Sequence, residues 1–293
     1  MLWEREQALQ YLDGFKVGMR ELGYAEGRDY AIEHRSAQSD LTRLPELVAE
    51  LIALKVDLIF PSGTASAVSA HTATHDIPIL IATVSDPVSS GLAASLRRPG
   101  GNVTGLTNLN SELYTKRLDL LRQMLPDLRR VGILYNPGNN TGDAPVLIQF
   151  ESNCAKLGFK SVRAPLRKAE DVADVFKKLQ REMAQAILVT TATTNGAWRK
   201  SIIEHAAKYR LPAVFGAGIF AESEGLLTYG PDFPDLYRRA ATYADKIFKG
   251  AKPGDLPIEQ PNNFETVINL KTAKALGIKI PNSILVQAAK VIE

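Results

Sequence analysis

Apolar residues along the chain fall into short β-branched runs that alternate with longer segments of helical spacing. "DYAIEHR" (29–35), "VDLIF" (56–60) and "IPILIAT" (77–83) read as strands, and "LTRLPELVAELIAL" (41–54) as a helix. After Gly105 the cycle restarts. Helices are predicted over 111–124, 144–158, 170–182 and 196–210, with strands over 130–136, 160–166, 186–191 and 212–216. Strands followed by helices of this length form parallel sheets with helices on both faces. "VDLIF" and "AILVTT" are near-continuous apolar runs, the pattern of strands covered on both sides. The series breaks at "RRPGGNVTGLTNLN" (97–110), rich in Gly and Asn, which divides two similar βα sets. The expected class is α/β, with two doubly wound parallel-sheet lobes.

The stretch "DLIFPSGTASAV" (57–68) passes from an apolar run through Ser62-Gly63-Thr64 into a small-residue helix. Free backbone N–H groups at a helix start, beside the positive end of its dipole, suit an anion. Ser and Thr are also preferred helix caps whether or not a ligand is present. A weak internal echo, "DLIFPSGTASA" against "AILVTTATTNGA", repeats the sequence of apolar strand, hydroxyl-rich turn and helix. Ligands of open parallel sheets bind beyond the carboxyl ends of the strands. Two lobes facing each other would bring both hydroxyl turns to one cleft.

Composition narrows the function. At 293 residues the chain is long enough for two packed lobes. The 35 basic and 32 acidic residues nearly balance, and the basic ones are scattered without interleaved aromatics, which argues against a nucleic-acid surface. No apolar run reaches the roughly 18 residues that span a bilayer. "MLWERE" carries no apolar signal core. Cys154, the single cysteine, has no internal disulfide partner and no metal-ligand spacing around it, so a packed thiol is expected. His71 and His75, four apart, can share a helix face, but without a nearby Glu or Cys they point to a polar helix end rather than a metal. No cofactor and no metal are expected. The chain has no Gly-x-Ser-x-Gly elbow, no Gly-Lys-Ser/Thr phosphate loop, no His-Glu-x-x-His and no Cys/His pair, so it does not read as an enzyme.

Several longer blocks carry a family likeness. "GMRELGYAEGRDYAIEHRSAQSD", "DIPILIATVSDPVSSGLAASLRRPGGNVTGLTNL", "KRLDLLRQMLPDLRRVGILYNPGNN" and "EGLLTYGPDFPDLYRRAATYADKIFKGAKPGDLPIEQP" resemble the solute-binding proteins of bacterial ABC importers, in the group that includes tryptophan and tyrosine binders. The closing "LPIEQPNNFETVINLKTAKALGIKIPNSILVQAAKVI" matches as well, so the likeness covers almost the whole chain. It implies a type I periplasmic-binding fold: lobe 1 from residues 1–106 plus 230–263, lobe 2 from 107–229 plus 264–293, and a solute trapped between them by hinge closure. Crossings are expected near Tyr229-Gly230-Pro231 and Pro261–Phe264. The implied partners are a small-molecule solute and the membrane permease of an importer, with the chain a monomer in the periplasm or otherwise outside the cytoplasm. The family's usual first strand is expected as a stub around Leu2-Trp3. A ligand-sensing domain of a signalling system uses the same fold and is the alternative.

The expected ligand wall of lobe 1 is Ser62, Gly63, Thr64, Ser85 and Asp86. Asp86 stands before Pro87 and reads equally as the cap of a following helix. In lobe 2 the wall is Tyr135, Asn136, Asn140, Thr191, Thr193, Phe215 and Ala217, with Tyr229 near a crossing. Asn136-Pro137-Gly138 also makes a turn by its own chemistry. Relatives similar to tryptophan binders tend to carry acids where Ala192 and Ala217 stand. A buried ammonium requires a carboxylate partner. The resemblance therefore implies an anionic or neutral solute, and Tyr135, Phe215 and Tyr229 suggest an aromatic one.

Overall fold

The computed structural model describes residues 5–38, 40–108, 110–138 and 140–293. Leu2 and Trp3, the expected strand stub, lie outside the described residues. The chain divides into two compact units, each assembled from two separate stretches. The first is Met1–Leu109 with Phe233–Asn262, and the second is Asn110–Asp232 with Asn263–Glu293.

Unit 1 begins with helix α1 (Arg5–Glu21), followed by α2 (Leu44–Ala53) and α3 (Thr64–Ala73), then strands β1 (Ile79–Val84) and β2 (Val103–Thr107). β1 and β2 pair in parallel, Ile79 beside Val103, and nearly every residue of both is buried, as their continuous apolar character requires. Two expected strands are reduced. Among the described residues, 56–60 contribute one parallel bridge, Ile59 to Ile79, and 29–35 form no strand but two bridge residues, Tyr30, which pairs with Glu26, and Arg35. The helix expected after Pro87 is a run of turns.

Unit 2 carries α4 (Asn110–Met124), β3 (Arg130–Tyr135), α5 (Asn140–Lys156), β4 (Lys160–Pro165), α6 (Val172–Arg181) and β5 (Ala186–Val189). It continues with α7 (Thr193–Ala197), α8 (Arg199–Lys208), β6 (Ala213–Phe215), α9 (Ile219–Glu222) and β7 (Leu227–Pro231). The chain then returns to unit 1 as α10 (Phe233–Phe248), and finishes in unit 2 as β8 (Phe264–Asn269), α11 (Leu270–Leu276), α12 (Asn282–Leu285) and β9 (Lys290–Ile292). The seven strands lie in the order β4-β3-β5-β6-β7-β8-β9. All neighbours are parallel except β7 and β8, because the chain re-enters unit 2 from the opposite direction. The helix predicted over 196–210 is broken at Trp198, which ends α7 and precedes α8.

Unit 1 is completed by α1 packing on α10. Tyr11 and Phe60 stack on Tyr237, and Phe15 meets Phe60 edge-on. The two helices approach so closely that a Cβ on Gly18 would lie 2.2 Å from the Arg238 carbonyl oxygen, and one on Gly14 2.4 Å from that of Pro234. Only hydrogen fits at these two positions. The core of unit 2 includes Leu118, Leu121, Phe150, Ile133 and Leu188, where Cys154 also packs. Among the described residues, no helix is long and apolar enough to cross a membrane.

Candidate functional site

Parallel strands bring their carboxyl ends to one edge, so each unit gathers polar side chains there. In unit 1 the turn after Ile59 runs through Ser62 and Gly63 into α3. Gly63 takes the N-cap position with φ 84°, a left-handed value that glycine adopts without strain. Having no side chain, Gly63 cannot itself cap the helix. Ser66 donates back to the Ser62 carbonyl at 2.5 Å, and the Gly63 N–H donates to Thr83 Oγ1 at 2.9 Å. Ser62 and Thr64 are both buried. The α3 amino terminus thus keeps the dipole and backbone donors that an acceptor group can use.

Beneath this turn lies Tyr237 of α10, fully buried, its hydroxyl against Thr83 and Ser62. Burial pushes its pKa far above the phenol range. Asp86, by contrast, is exposed and occupied. It accepts from the backbone N–H groups of Val88 (3.1 Å) and Ser89 (3.0 Å) and from the Ser89 hydroxyl (2.5 Å). The capping reading of Asp86 holds for a turn rather than for a helix. The Ser85 carbonyl accepts from Thr107 Oγ1 at 3.1 Å, which ties this turn to the end of β2.

In unit 2 the ends of β3 and β5 are joined by a buried polar network around Asp143, in the first turn of α5. Its Oδ2 accepts from the Asn136 N–H (2.7 Å) and the Thr190 hydroxyl (3.0 Å). Asn136 Nδ2 donates to Thr194 Oγ1 at 3.0 Å, and its Oδ1 accepts from the Gly138 N–H at 2.8 Å. Asn195 Nδ2 bonds Thr190 at both its carbonyl and hydroxyl oxygens. Asn136 therefore does form the turn expected of Asn-Pro-Gly, with its side chain engaged on both ends.

Next to this network stands a second group at the ends of β5, β6 and β7. Arg117 of α4 is fully buried, its Nε donating to the Tyr229 carbonyl at 2.8 Å and its guanidinium 4.9 Å from the centre of the Tyr114 ring. The Tyr114 hydroxyl bonds Arg117 and both the backbone and side chain of Thr191. Burial raises the Tyr114 phenol pKa and lowers that of Arg117, each disfavouring the charged form. Gly216 makes room for this packing. A Cβ there would lie 2.3 Å from Thr191 Cγ2 and 2.7 Å from Arg117 Nη2.

The expected residues are thus placed unequally. Ser62, Gly63 and Thr64 share one turn, and Asn136 shares a network with Thr190 and Thr194. Thr191 and Tyr229 gather around Arg117. Tyr135 and Tyr229 are half-buried at their strand ends. Phe215 departs from expectation: its ring is wholly buried, stacked 4.4 Å from Phe220 in the body of unit 2. Ala192 and Ala217 are buried methyl groups. Asn140 and Thr193 begin α5 and α7, and their side chains lie outside the described set.

Sequence reading missed Tyr114, Arg117, Asp143, Asn195 and Tyr237. Arg117 and Tyr237 each sit on the apolar face of an amphipathic helix, which was the available signal. His71 is structural: its Nδ1 is 2.9 Å from Asn102 Oδ1, and Asn102 in turn donates to the Thr74 and Ile77 carbonyls, while the exposed His75 meets the His71 ring edge-on. Among the described residues, no group of three potential ligands is placed to hold a metal.

Comparison with known proteins gives this arrangement a context. The chain is 28% identical over 269 residues to the tyrosine-binding protein of Clostridioides difficile, covering 91% of this chain and 76% of that protein. It matches a conserved domain protein of Vibrio cholerae with a TM-score of 0.93 at 26% identity, over 99% of this chain and 97% of that one. A Streptococcus pneumonia ABC domain crystallised with L-Trp matches with a TM-score of 0.91 at 25% identity, over the same shares. The fold is that of type I periplasmic binding proteins. The profile of the ABC transporter substrate binding proteins spans residues 3–292, and with strand-end polar clusters in both units the chain belongs to that family of solute binders.

Proposed function

We propose that this protein works as a monomer outside the cytoplasm, periplasmic where a periplasm exists, and delivers a small solute to the membrane permease of an ABC importer. The solute is held by the strand-end residues of both units: Ser62, Gly63 and Thr64 from unit 1, Asn136, Thr191 and Tyr229 from unit 2. The chain passes between units near residues 109, 232 and 262, and these crossings act as the hinge on which closure turns. The observation that carries the reading is the gathering of polar side chains at the strand ends of each unit, Ser62 and Thr83 around the α3 turn in unit 1 and Asn136, Thr190 and Thr194 in unit 2.

A thermal-shift library of amino acids, carboxylates and small neutral compounds tests the reading. A solute that binds only the folded chain adds about 2.7 kcal/mol of stability at a hundredfold excess over its Kd. With such a solute in hand, small-angle scattering should show a smaller radius of gyration on binding. Thr64→Val and Asn136→Leu should each weaken calorimetric affinity by about 1 kcal/mol, the worth of one hydrogen bond. Two variants that bind as tightly as the parent would place the site elsewhere.

A further inference from the structure

We propose that unit 2 carries a second small-molecule site, at the edge of its sheet away from the carboxyl strand ends. It takes a short apolar peptide free at both ends, the ammonium facing Glu204 and Glu224 and the carboxylate facing Arg210. This site is separate from the one proposed above and stands whichever solute that one holds.

A pocket of about 520 Å³ opens between α8 and α11, within the range of about 300–1,000 Å³ that small ligands occupy. It lies at the amino-terminal ends of β6 and β7, where Ala213 begins one strand and Leu226 precedes the other. Its buried lining includes Ala206, Ala213, Phe215 and Leu226, all apolar, so the body of a ligand gains by being apolar too. Four exposed charged residues stand at its mouth: Glu204 on α8, Arg210 just after it, Glu224 in the turn before β7, and Lys271 on α11. Two acids and two bases leave the mouth without net charge. A dipolar ligand is favoured there over a plain anion or cation.

The charges are also sorted along the pocket. Thr272 Oγ1, in the first turn of α11, donates to the Glu224 carbonyl at 2.8 Å and fixes Glu224 at that end. Arg210 Nη2 donates to the carbonyl of Leu276, the last residue of α11, at 3.5 Å. The two contacts are four residues apart on α11, about 6 Å along its axis. Glu204 precedes Arg210 by six residues, and Lys271, next to Thr272, offsets only one of the two acids. Among the described residues, the side chains of Glu204, Glu224 and Lys271 make no ion pair or hydrogen bond, and that of Arg210 makes only the long one to Leu276. These charges are therefore open to a ligand, and a guanidinium with most of its N–H groups unused suits a carboxylate. An α-amino acid bears both charges on one carbon. A dipeptide carries them on successive α carbons about 3.8 Å apart, each charge on the outer side, so they reach toward both ends of the pocket.

The experiment is calorimetry on the full chain with leucyl-leucine, beside N-acetyl-leucyl-leucinamide, which lacks both charges, and alanyl-alanine, which lacks the apolar body. Leucyl-leucine should bind at least tenfold tighter than either. Arg210→Gly and Glu224→Gly should each lower its affinity at least fivefold. Both residues follow a helix with left-handed φ, 53° and 71°, which glycine adopts freely, so neither change should lower the urea midpoint. Lost binding then reports the charge and not the fold. Should a glycine variant prove less stable, Ala275→Trp decides: it fills the pocket from an exposed position on α11 and should abolish binding. Thr64→Val, in unit 1, should leave the affinity within twofold. Silence from leucyl-leucine, a blocked peptide that binds as well as the free one, or full affinity in both glycine variants each overturns the proposal. So does affinity lost in Thr64→Val and kept in Arg210→Gly, which moves the peptide to the strand ends. Failure here leaves the solute reading standing, because that reading is tested with its own ligand.

Discussion

Replacing Gly18 by alanine is the sharpest probe of how unit 1 is held together. In an exposed helix the change would stabilise by about 1 kcal/mol through backbone entropy. Here the new methyl would lie 2.2 Å from the Arg238 carbonyl oxygen and 2.7 Å from Ala241 Cβ, both on α10. Ordinary contact requires α1 and α10 to move apart by about 1 Å, a radial gap that forfeits a quarter to a half of each dispersion well. The loss falls on the contacts of Tyr11, Phe15 and Tyr237, all nearly or wholly buried. Overpacking of this sort costs about 1–3 kcal/mol, and a double contact with a rigid neighbouring helix belongs near the top of that range. Set against the propensity gain, Gly18→Ala should destabilise by about 2 kcal/mol. Gly101→Ala, where a Cβ meets nothing within 4 Å, is the control and should change stability by less than about 0.5 kcal/mol. Urea denaturation followed by circular dichroism reads the difference as a lower midpoint at unchanged slope. A Gly18→Ala protein as stable as its parent would refute the close approach of α1 and α10.

Three further outcomes are expected. Tyr237→Phe removes the hydroxyl from Thr83 and Ser62 and should cost about 1 kcal/mol in the same denaturation assay; an unchanged midpoint would detach Tyr237 from the α3 turn. Cys154, its thiol pushed up to about 12 mainly by burial, should resist a thiol-exchange reagent at pH 8 until urea opens unit 2; rapid modification of the folded chain would contradict the burial. Glu151 is held below the usual carboxylate range by the Arg163 guanidinium, bonded at 2.6 and 2.9 Å. Its folded pKa is depressed, so the stabilisation is present above the unfolded value near 4.5 and is lost as pH falls through the folded one. Because the pair is exposed the effect is a few tenths of a kcal/mol, and Glu151→Gln should flatten that limb of a stability-against-pH curve.

The sequence is most legible where burial is two-sided. β5 stands where its unbroken apolar run places it, because a strand covered on both faces has no polar alternation to confuse. "VDLIF" looks the same in sequence, yet only Ile59 enters a ladder, since strand pairing depends on a neighbour that one-dimensional pattern does not supply. The candidate site divides along a similar line. Hydroxyl-rich turns such as Ser62–Thr64 and Thr190–Thr194 announce themselves. Arg117 does not, because beside Lys116 it resembles an ordinary solvated charge. Its spacing from Leu113, Tyr114, Leu120 and Leu121 puts it on the buried face of α4, and only the ends of β6 and β7 explain what it does there. Phe215 was misplaced for the opposite reason: a strand-end aromatic serves either face of the sheet, and Phe220 and Gly225 decide which.

That each unit is assembled from two distant stretches of chain also sets an order of events during synthesis. The apolar face of α1, with Tyr11, Phe15 and Met19, is covered by α10, whose first residue emerges 212 residues after the last of α1 (233 less 21). At roughly 5–20 residues per second that face waits about 10–40 seconds for its partner. Unit 2 waits longer still, because β8 and β9 are the last strands made and β8 must pair with β7. A nascent chain halted at residue 232 would hold most of the fold and neither finished unit. Newly made protein is therefore exposed to aggregation through most of its translation, and it should lean on ribosome-associated chaperones until the final thirty or so residues are released.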